Sequence, residues 1–435
     1  MIWLYRVIFL PALLLMLPRF LWRMVKRGGY ARDFSQRFGF FPHLPAPTTG
    51  IKRVWLQAVS VGEILAIEPL VKSLAQTPGL EVVLTTTTST GYTLARERLA
   101  PHCRAVGIFP VDFWLCSRLA WRRIQPSVAL LMEGELWPEH LHQAKKHHAP
   151  LLLINARLSD RSFRRYRKLG WAHALTFDRL TRILASTPQD AARFTEVAGA
   201  SKVILTGNLK CDIEITPRLS PPELQSLRDE LGFIGETATI PPSPPLILLG
   251  SSTWPGEEIA LLETFEAVLA QGIDCRLLII PRHAERRNEI VALLEKQTRL
   301  WHLRSRGQQA PRPVFIYVGD TTGELRKLTQ LADLVFVGKS LPPHTEGQTP
   351  IEAAVLGKPI LFGPGMSNFR DISRGLIDCG AALRVDSPAT LTATALRLLS
   401  TPAERQRIAA AAVEWHKQNR GALGKMVEAI RAVVR

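Results

Sequence analysis

A carboxylate placed directly after a buried strand can act as a proton acceptor, and Glu63 stands in that position. Val54-Trp55-Leu56-Gln57-Ala58 reads as a strand, Ser60-Val61-Gly62-Glu63 as the turn that ends it, and Ile64 to Leu74 as the following helix. Open parallel sheets bind ligands at such strand ends, which makes Glu63 a candidate general base. A glutamate that opens a helix because the macrodipole favours it there would give the same pattern.

Further polar clusters fall where other strands should end. Thr85 to Gly91 presents hydroxyls and amides, suited to a polar ligand or to capping a helix. Glu133-Gly134-Glu135-Leu136-Trp137-Pro138 sets two carboxylates beside a Trp, a combination for sugar recognition or acid–base work, although either glutamate could cap a helix. The arginines of Asn155 to Tyr166 could fork onto phosphate oxygens or form a solvated basic face. In the second half, Gly250 to Glu258 and Pro281-Arg282-His283-Ala284-Glu285-Arg286 occupy equivalent places. Asp320-Thr321-Thr322-Gly323-Glu324-Leu325 is expected to open a helix whose free amides favour an anion. Thr349-Pro350-Ile351-Glu352 opens another and sets Glu352 one turn in, able to accept from two ribose hydroxyls. Together these describe a nucleotide site in the C-terminal half.

Other chemistries lack their residues. There is no G-x-x-x-x-G-K-[ST], no G-x-G-x-x-G, no H-E-x-x-H and no D-x-D. His140, His142, His147 and His148 cluster without nearby Cys or acidic partners, so no metal site is expected. Five scattered cysteines with no C-x-x-C fit a reducing compartment and core positions. The 55 Lys and Arg against 38 Asp and Glu give a net charge of +17, which calls for an anionic partner: nucleic acid, acidic membrane or a phosphorylated substrate.

The elements that must position these residues alternate strand and helix in two series, the pattern of α/β doubly wound domains. At 435 residues two domains are expected. The first series of strands is Val54–Ala58, Glu81–Thr85, Ala105–Phe109, Val128–Met132, Leu151–Ile154, Ile183–Ala185 and Val203–Leu205. The second is Leu246–Leu249, Arg276–Ile280, Val314–Val318, Leu334–Val337, Pro359–Phe362 and Ala382–Val385. The expected division is 1–27 membrane anchor and basic flank, 28–215 first domain, 216–245 proline-marked connector, 246–401 second domain and 402–435 terminal helices, with the two Rossmann-like domains facing a cleft.

The segment Met1–Trp22 is apolar apart from Arg6 and Arg19, and about 20 such residues suffice to cross a bilayer. Arg6, Pro11 and Pro18 weaken a span. Arg19, Arg23, Lys26, Arg27, Arg32 and Arg37 follow against Asp33 alone, so the expectation is an apolar anchor helix, spanning or monotopic, with the body in the cytoplasm at the inner membrane. A cleaved signal peptide fits less well, for want of a basic start and a clear A-x-A site.

Taken in order, Ser60–Glu63, Glu133–Pro138, Asn155–Tyr166, Thr206-Gly207-Asn208-Leu209-Lys210 and Pro281–Arg286 resemble the 3-deoxy-D-manno-octulosonic acid (Kdo) transferase family of lipopolysaccharide assembly, a GT-B glycosyltransferase group. The resemblance runs from Tyr30–Gly39 to the loop Gly363–Phe369. It implies that Glu63 is the general base, that Glu133 and Lys210 support the transition state, and that Pro281, Arg282, Thr322, Gly323, Glu324, Thr349, Pro350, Ile351 and Glu352 hold the CMP moiety of CMP-Kdo. It further implies an acceptor-binding first domain, a donor-binding second domain, a phosphorylated lipid A precursor as acceptor at the membrane surface, and inversion at the anomeric carbon. Neither a cofactor nor a metal is expected, since a single phosphodiester carries less charge than a diphosphate. Nucleic acid is not expected as a partner. Gln57 stands where the family usually has His, Trp254 replaces the His of a G-S-T-H block, and Glu346-Gly347-Gln348-Thr349 replaces Gly-Gly-His-Asn. A GT-B-like sugar-nucleotide epimerase would need no anchor, and a non-enzymatic lipid- or nucleic-acid-binding protein would need no strand-end Glu63.

Overall fold

The structure, a computed structural model, describes residues 2–27, 33–213, 215–234 and 244–434. The chain forms two compact units, Met1–Asp212 with Arg420–Arg435, and Ile213–Asn419. Part of the expected connector, from 235 to 243, lies outside the described residues, as do 28–32 and the side chains of the basic flank from Arg19 to Arg32.

The first unit is built on a parallel sheet with strand order β3-β2-β1-β4-β5-β6-β7. In chain order these are β1 (Lys52–Ala58), β2 (Leu80–Thr86), β3 (Ala105–Ile108), β4 (Val128–Met132), β5 (Leu151–Ala156), β6 (Arg182–Ala185) and β7 (Val203–Leu205). The order reverses between β1 and β4, which pair through Val54–Val128 and Leu56–Leu130. The central strands are buried on both faces, which is why they read as continuous apolar runs instead of alternating ones. One face of the sheet packs around Trp55, Trp121, Phe177 and Phe194, the other around Ile64, Leu70, Met426 and Ile430.

The second unit repeats the plan with order β10-β11-β9-β8-β12-β13-β14, again all parallel. Its strands are β8 (Leu246–Thr253), β9 (Cys275–Pro281), β10 (Trp301–Leu303), β11 (Ile316–Val318), β12 (Leu334–Val337), β13 (Ile360–Phe362) and β14 (Ala382–Arg384). Thirteen of these strands coincide with expected runs; the edge strand β10 is too short and polar to show a pattern. The order reverses between β8 and β12.

The terminal stretch divides between the units. Helix Pro402–Asn419 belongs to the second, whereas helix Ala422–Val434 returns to the first. Asp212, the nearest imitation of a D-x-D, accepts the backbone N–H groups of Gly421 and Leu423 and so holds the start of that returning helix.

The N-terminal segment does form a helix, α1 (Ile2–Arg27), but among the described residues no helix is long and apolar enough to cross a membrane. The expected apolar membrane-anchor helix is corrected accordingly. Pro11 and Pro18 lie inside α1, and Arg6 is committed to the body of the unit, donating to Glu139 through Nε at 2.9 Å and Nη2 at 2.8 Å.

Candidate active site

The reversal between β1 and β4 brings Glu63 and Glu133 to one place. Helix α2 (Val61–Gln76) starts directly after β1, with Ser60 in extended conformation as its N-cap and Glu63 in its first turn. The Glu63 carboxylate turns back onto that start, accepting from the Val59 N–H at 2.9 Å and from Ser60 Oγ at 3.1 Å. Burial pushes its pKa up to about 7; the two hydrogen bonds oppose the shift, and the negative charges of Glu133 and Glu135 add to it. Glu63 is thus a first-turn carboxylate that closes the start of its helix and whose surroundings raise its proton affinity to near neutrality.

Glu133 follows β4 with a left-handed backbone, φ 56°. It pairs with Lys210 Nζ at 3.0 Å, and Lys210 sits in the short 3₁₀ turn Leu209–Cys211 after β7. Glu135 accepts from Trp137 Nε1 at 2.7 Å, and burial raises its pKa. Asn155, near the end of β5, also takes a positive φ of 47°; its Oδ1 accepts from the Leu209 N–H at 3.0 Å while its buried Nδ2 has no partner. Asn155 thus locates the turn that carries Lys210. A non-glycine residue held left-handed costs about 1–3 kcal/mol and collects at functional sites, yet nothing in a single sequence marks it.

The threonine run does mostly structural work. Thr85 takes Trp55 Nε1 at 2.9 Å and donates to Gln57 Oε1 at 3.1 Å, Thr86 and Thr88 donate to the Val59 carbonyl, and Thr88 caps the next helix by accepting from Gly91 N–H. Gln57 reaches Thr87 Oγ1 at 3.0 Å, so the departure at this position is absorbed in a hydrogen-bonded floor beneath the turn. The basic helix Asp160–Lys168 packs Phe163 and Tyr166 against the core of the first unit and leaves Arg161, Arg164, Arg165 and Arg167 exposed.

In the second unit the reversal between β8 and β12 is tied by one carboxylate. Glu257 accepts from the backbone N–H groups of Trp254 at 2.9 Å, Lys339 and Ser340 at 2.8 Å and Leu341 at 3.1 Å, joining the loops after β8 and β12. The approach is close: a Cβ on Gly338 would lie 2.4 Å from the Ser252 carbonyl oxygen. Ser252 and Lys339 are again left-handed, with φ 55° and 57°. Lys339 Nζ lies 4.2 Å from the Trp254 ring centroid and 3.4 Å from Glu346, and Trp254 packs against His283 and His344. The departing residues Trp254 and Glu346 therefore meet through Lys339.

Of the expected nucleotide-binding residues, Pro281 ends β9 and Arg282 is exposed just after it, its N–H bonded to the Thr253 carbonyl at 3.2 Å. Arg286 is instead turned inward onto buried Glu258 at 2.7 Å. Glu324 is held by Arg304, with Nε and Nη2 each 2.5 Å from a carboxylate oxygen, and by Thr321. That ion pair pins the turn containing Thr322 and Gly323. The helix after it is a single turn, Leu325–Thr329, too short for the anion-favouring dipole expected of it. Thr349 Oγ1 accepts from the Ile351 N–H at 3.2 Å, fixing the start of the short helix Ile351–Val355 that carries Glu352. Glu352 Oε2 is buried with no partner, and burial raises its pKa. Among the described residues no group of three or more His, Cys, Asp or Glu could hold a metal ion.

Residues 32–213 match a family model described as 3-deoxy-D-manno-octulosonic-acid transferase. A 3-deoxy-D-manno-octulosonic acid transferase of Bordetella pertussis is 36% identical over 422 residues, 94% of this chain and 94% of the relative. The chain belongs to the Kdo transferase family. It is thus an enzyme, a glycosyltransferase. The Haemophilus influenzae member is 30% identical over 94% of this chain and 92% of its own length. Among solved structures, the UDP-GlcNAc 2-epimerase of Neisseria meningitidis bound to UDP-GlcNAc superimposes with a TM-score of 0.55 at 15% identity, over 87% of this chain and all of the epimerase. That likeness is one of fold, two α/β units of the same build. For this Kdo transferase, Lys339 carries no signal in the sequence, and Glu257 and Asn155 lie inside polar clusters without being distinguished there: their roles depend on which strands become neighbours.

Proposed function

We propose that this transferase moves Kdo from CMP-Kdo to the 6′-hydroxyl of a phosphorylated lipid A precursor, with inversion and with Glu63 as the general base. The observation that carries the reading is the carboxylate of Glu63, raised to a proton affinity near neutrality at the strand reversal of the first unit. In the reaction Glu63 takes the hydroxyl proton as the acceptor oxygen bonds to the anomeric carbon. The bond from that carbon to the phosphate oxygen breaks, and its electron pair leaves with CMP. A base whose proton affinity lies near the working pH is still ionised in a sizeable fraction of molecules and has the affinity to take this proton. Lys210, paired with Glu133 beside it, supplies fixed positive charge for the developing anion.

The donor falls to the second unit. The unpartnered Glu352 oxygen suits a ribose hydroxyl, with Thr349, Pro350 and Ile351 setting its helix start. Arg282 suits the phosphate, and Pro281, Thr322, Gly323 and Glu324 form the neighbouring turns. A lone phosphodiester facing a guanidinium needs no metal to leave, and metal independence is part of the proposal. The acceptor is presented at the cytoplasmic face of the inner membrane, where the basic first unit would favour its phosphates.

The test is to incubate the purified full chain with CMP-Kdo and a tetraacyl lipid A precursor and to read product masses. Addition of one or more Kdo residues is expected. No mass gain, with interconversion of a UDP-sugar instead, would move the protein to the epimerase reading.

A further inference from the structure

The second unit carries 22 Lys and Arg against 23 Asp and Glu, a net −1, so its overall charge does nothing to draw in an anion. A nucleotide-activated 2-ulosonic acid is a double anion. Its carboxylate and its phosphate oxygen are bonded to the same carbon, so a second cation that meets it must stand next to the first.

Three adjacent strands provide such a place. β9, β8 and β12 lie side by side and parallel, and Arg282, Trp254 and Lys339 follow their respective C-terminal ends. Neighbouring strands are about 4.8 Å apart, so Arg282 and Lys339 start roughly 10 Å from each other, with Trp254 between them. His283, next to Arg282, packs edge-on to the Trp254 ring with centroids 5.2 Å apart, and the Lys339 ammonium lies 4.2 Å from the centroid of the same ring.

The backbone gives no reason for a lysine at 339. Its φ of 57° lies in the left-handed region that suits glycine and strains a residue with a Cβ. Its backbone contacts, the N–H donated to Glu257 and the carbonyl that accepts from Gly347 at 2.8 Å, need no side chain. The ammonium reaches Glu346 at 3.4 Å, longer than the roughly 2.7–2.9 Å of a charge-assisted hydrogen bond. That contact orients an ammonium with three donors and leaves donors open, and the side chain keeps 19% of its surface exposed. Trp254 Nε1, on the ring beneath it, is buried with no partner. Trp254 and Glu346 are both positions where the chain departs from its family's pattern, and Lys339 joins them.

We infer that Lys339 is a donor-specificity residue: with Arg282 on the phosphate, its ammonium, backed by the Trp254 ring, takes the carboxylate of the ulosonic acid. This rests on the reading of the donor as CMP-Kdo. Glu346 is a stand-in anion that holds the ammonium along the ring until the donor carboxylate replaces it. Such a site favours 2-ulosonic acids over sugars that bear no acid group on the anomeric carbon.

The experiment measures equilibrium binding to the full chain without acceptor, using freshly prepared CMP-Kdo and, as the probe without the carboxylate, CMP. Lys339→Gly, which suits the left-handed backbone, should weaken CMP-Kdo binding by about tenfold, leave CMP binding within about twofold and not lower the thermal transition. Lys339→Met, which keeps a stem over the ring and removes the charge, should weaken CMP-Kdo to a similar extent. Glu346→Gln removes the competing carboxylate and should tighten CMP-Kdo but not CMP. An ion pair that only clasps the loop from 339 to 347 predicts otherwise: removing either half would act in the same direction on both ligands. Unchanged CMP-Kdo affinity in the Lys339 variants, an equal loss for CMP, or weaker CMP-Kdo binding in Glu346→Gln would overturn the inference, as would a wild type that does not bind CMP-Kdo. Product masses score the proposed function separately: the expected binding pattern without transfer would leave the donor site standing and remove the reaction.

Discussion

Lys210 Nζ stands 3.0 Å from Glu133 Oε1, linking two turns 77 residues apart in the chain. The pair keeps a positive charge next to the carboxylate whose field reaches Glu63. Lys210→Met should leave Glu133 unshielded and make Glu63 harder to ionise. Its pH–rate profile should climb later, with the ascending limb moved up by ~0.5 pH unit, besides any loss of maximal rate. Identical profiles for the two proteins would separate Lys210 from the base.

Removing the base itself has two signatures. Glu63→Gln should lower kcat by about 10²–10⁴-fold while CMP still binds. It should also raise the thermal transition at pH 8. The folded pKa of about 7 exceeds the ordinary value of 4.5, so the folded protein binds this proton more tightly than the unfolded chain and loses stability as pH rises from 4.5 through 7. At pH 4.5 the difference between wild type and variant should close. A variant less stable than wild type at pH 8 would show that the hydrogen bonds to Val59 and Ser60 outweigh the burial of charge.

The wild-type rate should depend on pH in the matching direction. Activity requires the ionised base, so kcat/KM should rise with pH through about 7. A flat profile between pH 5.5 and 8.5 would exclude a buried carboxylate as the proton acceptor.

Glu257→Ala should loosen both loops at the reversal of the second unit. It strands the N–H groups of Trp254, Lys339, Ser340 and Leu341, and each buried amide left unsatisfied costs about 1–3 kcal/mol. Calorimetry should show the second unit losing stability and titration should show weakened CMP binding. If CMP binds with wild-type affinity, these loops do not shape the donor pocket.

Transfer in excess EDTA should match transfer in magnesium. A large loss restored by magnesium would require a cation at the donor phosphate.

The legible part of this protein was its alternation. Strands such as Val128–Met132 and Leu334–Val337 are uniform apolar runs because both faces of each sheet are covered, and their ends mark the polar turns. Strand order was not legible. Nothing local says that β1 lies beside β4, and that adjacency is what puts Glu133 near Glu63. The same holds for Glu257, which reads as one of several helix-opening acids until β8 and β12 are neighbours. At the N-terminus, hydropathy pointed to an anchor because the partner of Arg6 is Glu139, a distance of 133 residues that no local window contains.

The return of helix Ala422–Val434 to the first unit makes the second an insertion within it. Met426 and Ile430 are fully buried against that first sheet, and Asp212 waits to cap a helix whose preceding residue, Gly421, lies 209 residues further on. On the ribosome, the first unit is therefore left with an uncovered apolar seam while the whole of the second is being made. Synthesis order and folding order part company here: the domain begun first is the one finished last, and a nascent chain stalled before residue 422 would present that seam to chaperones.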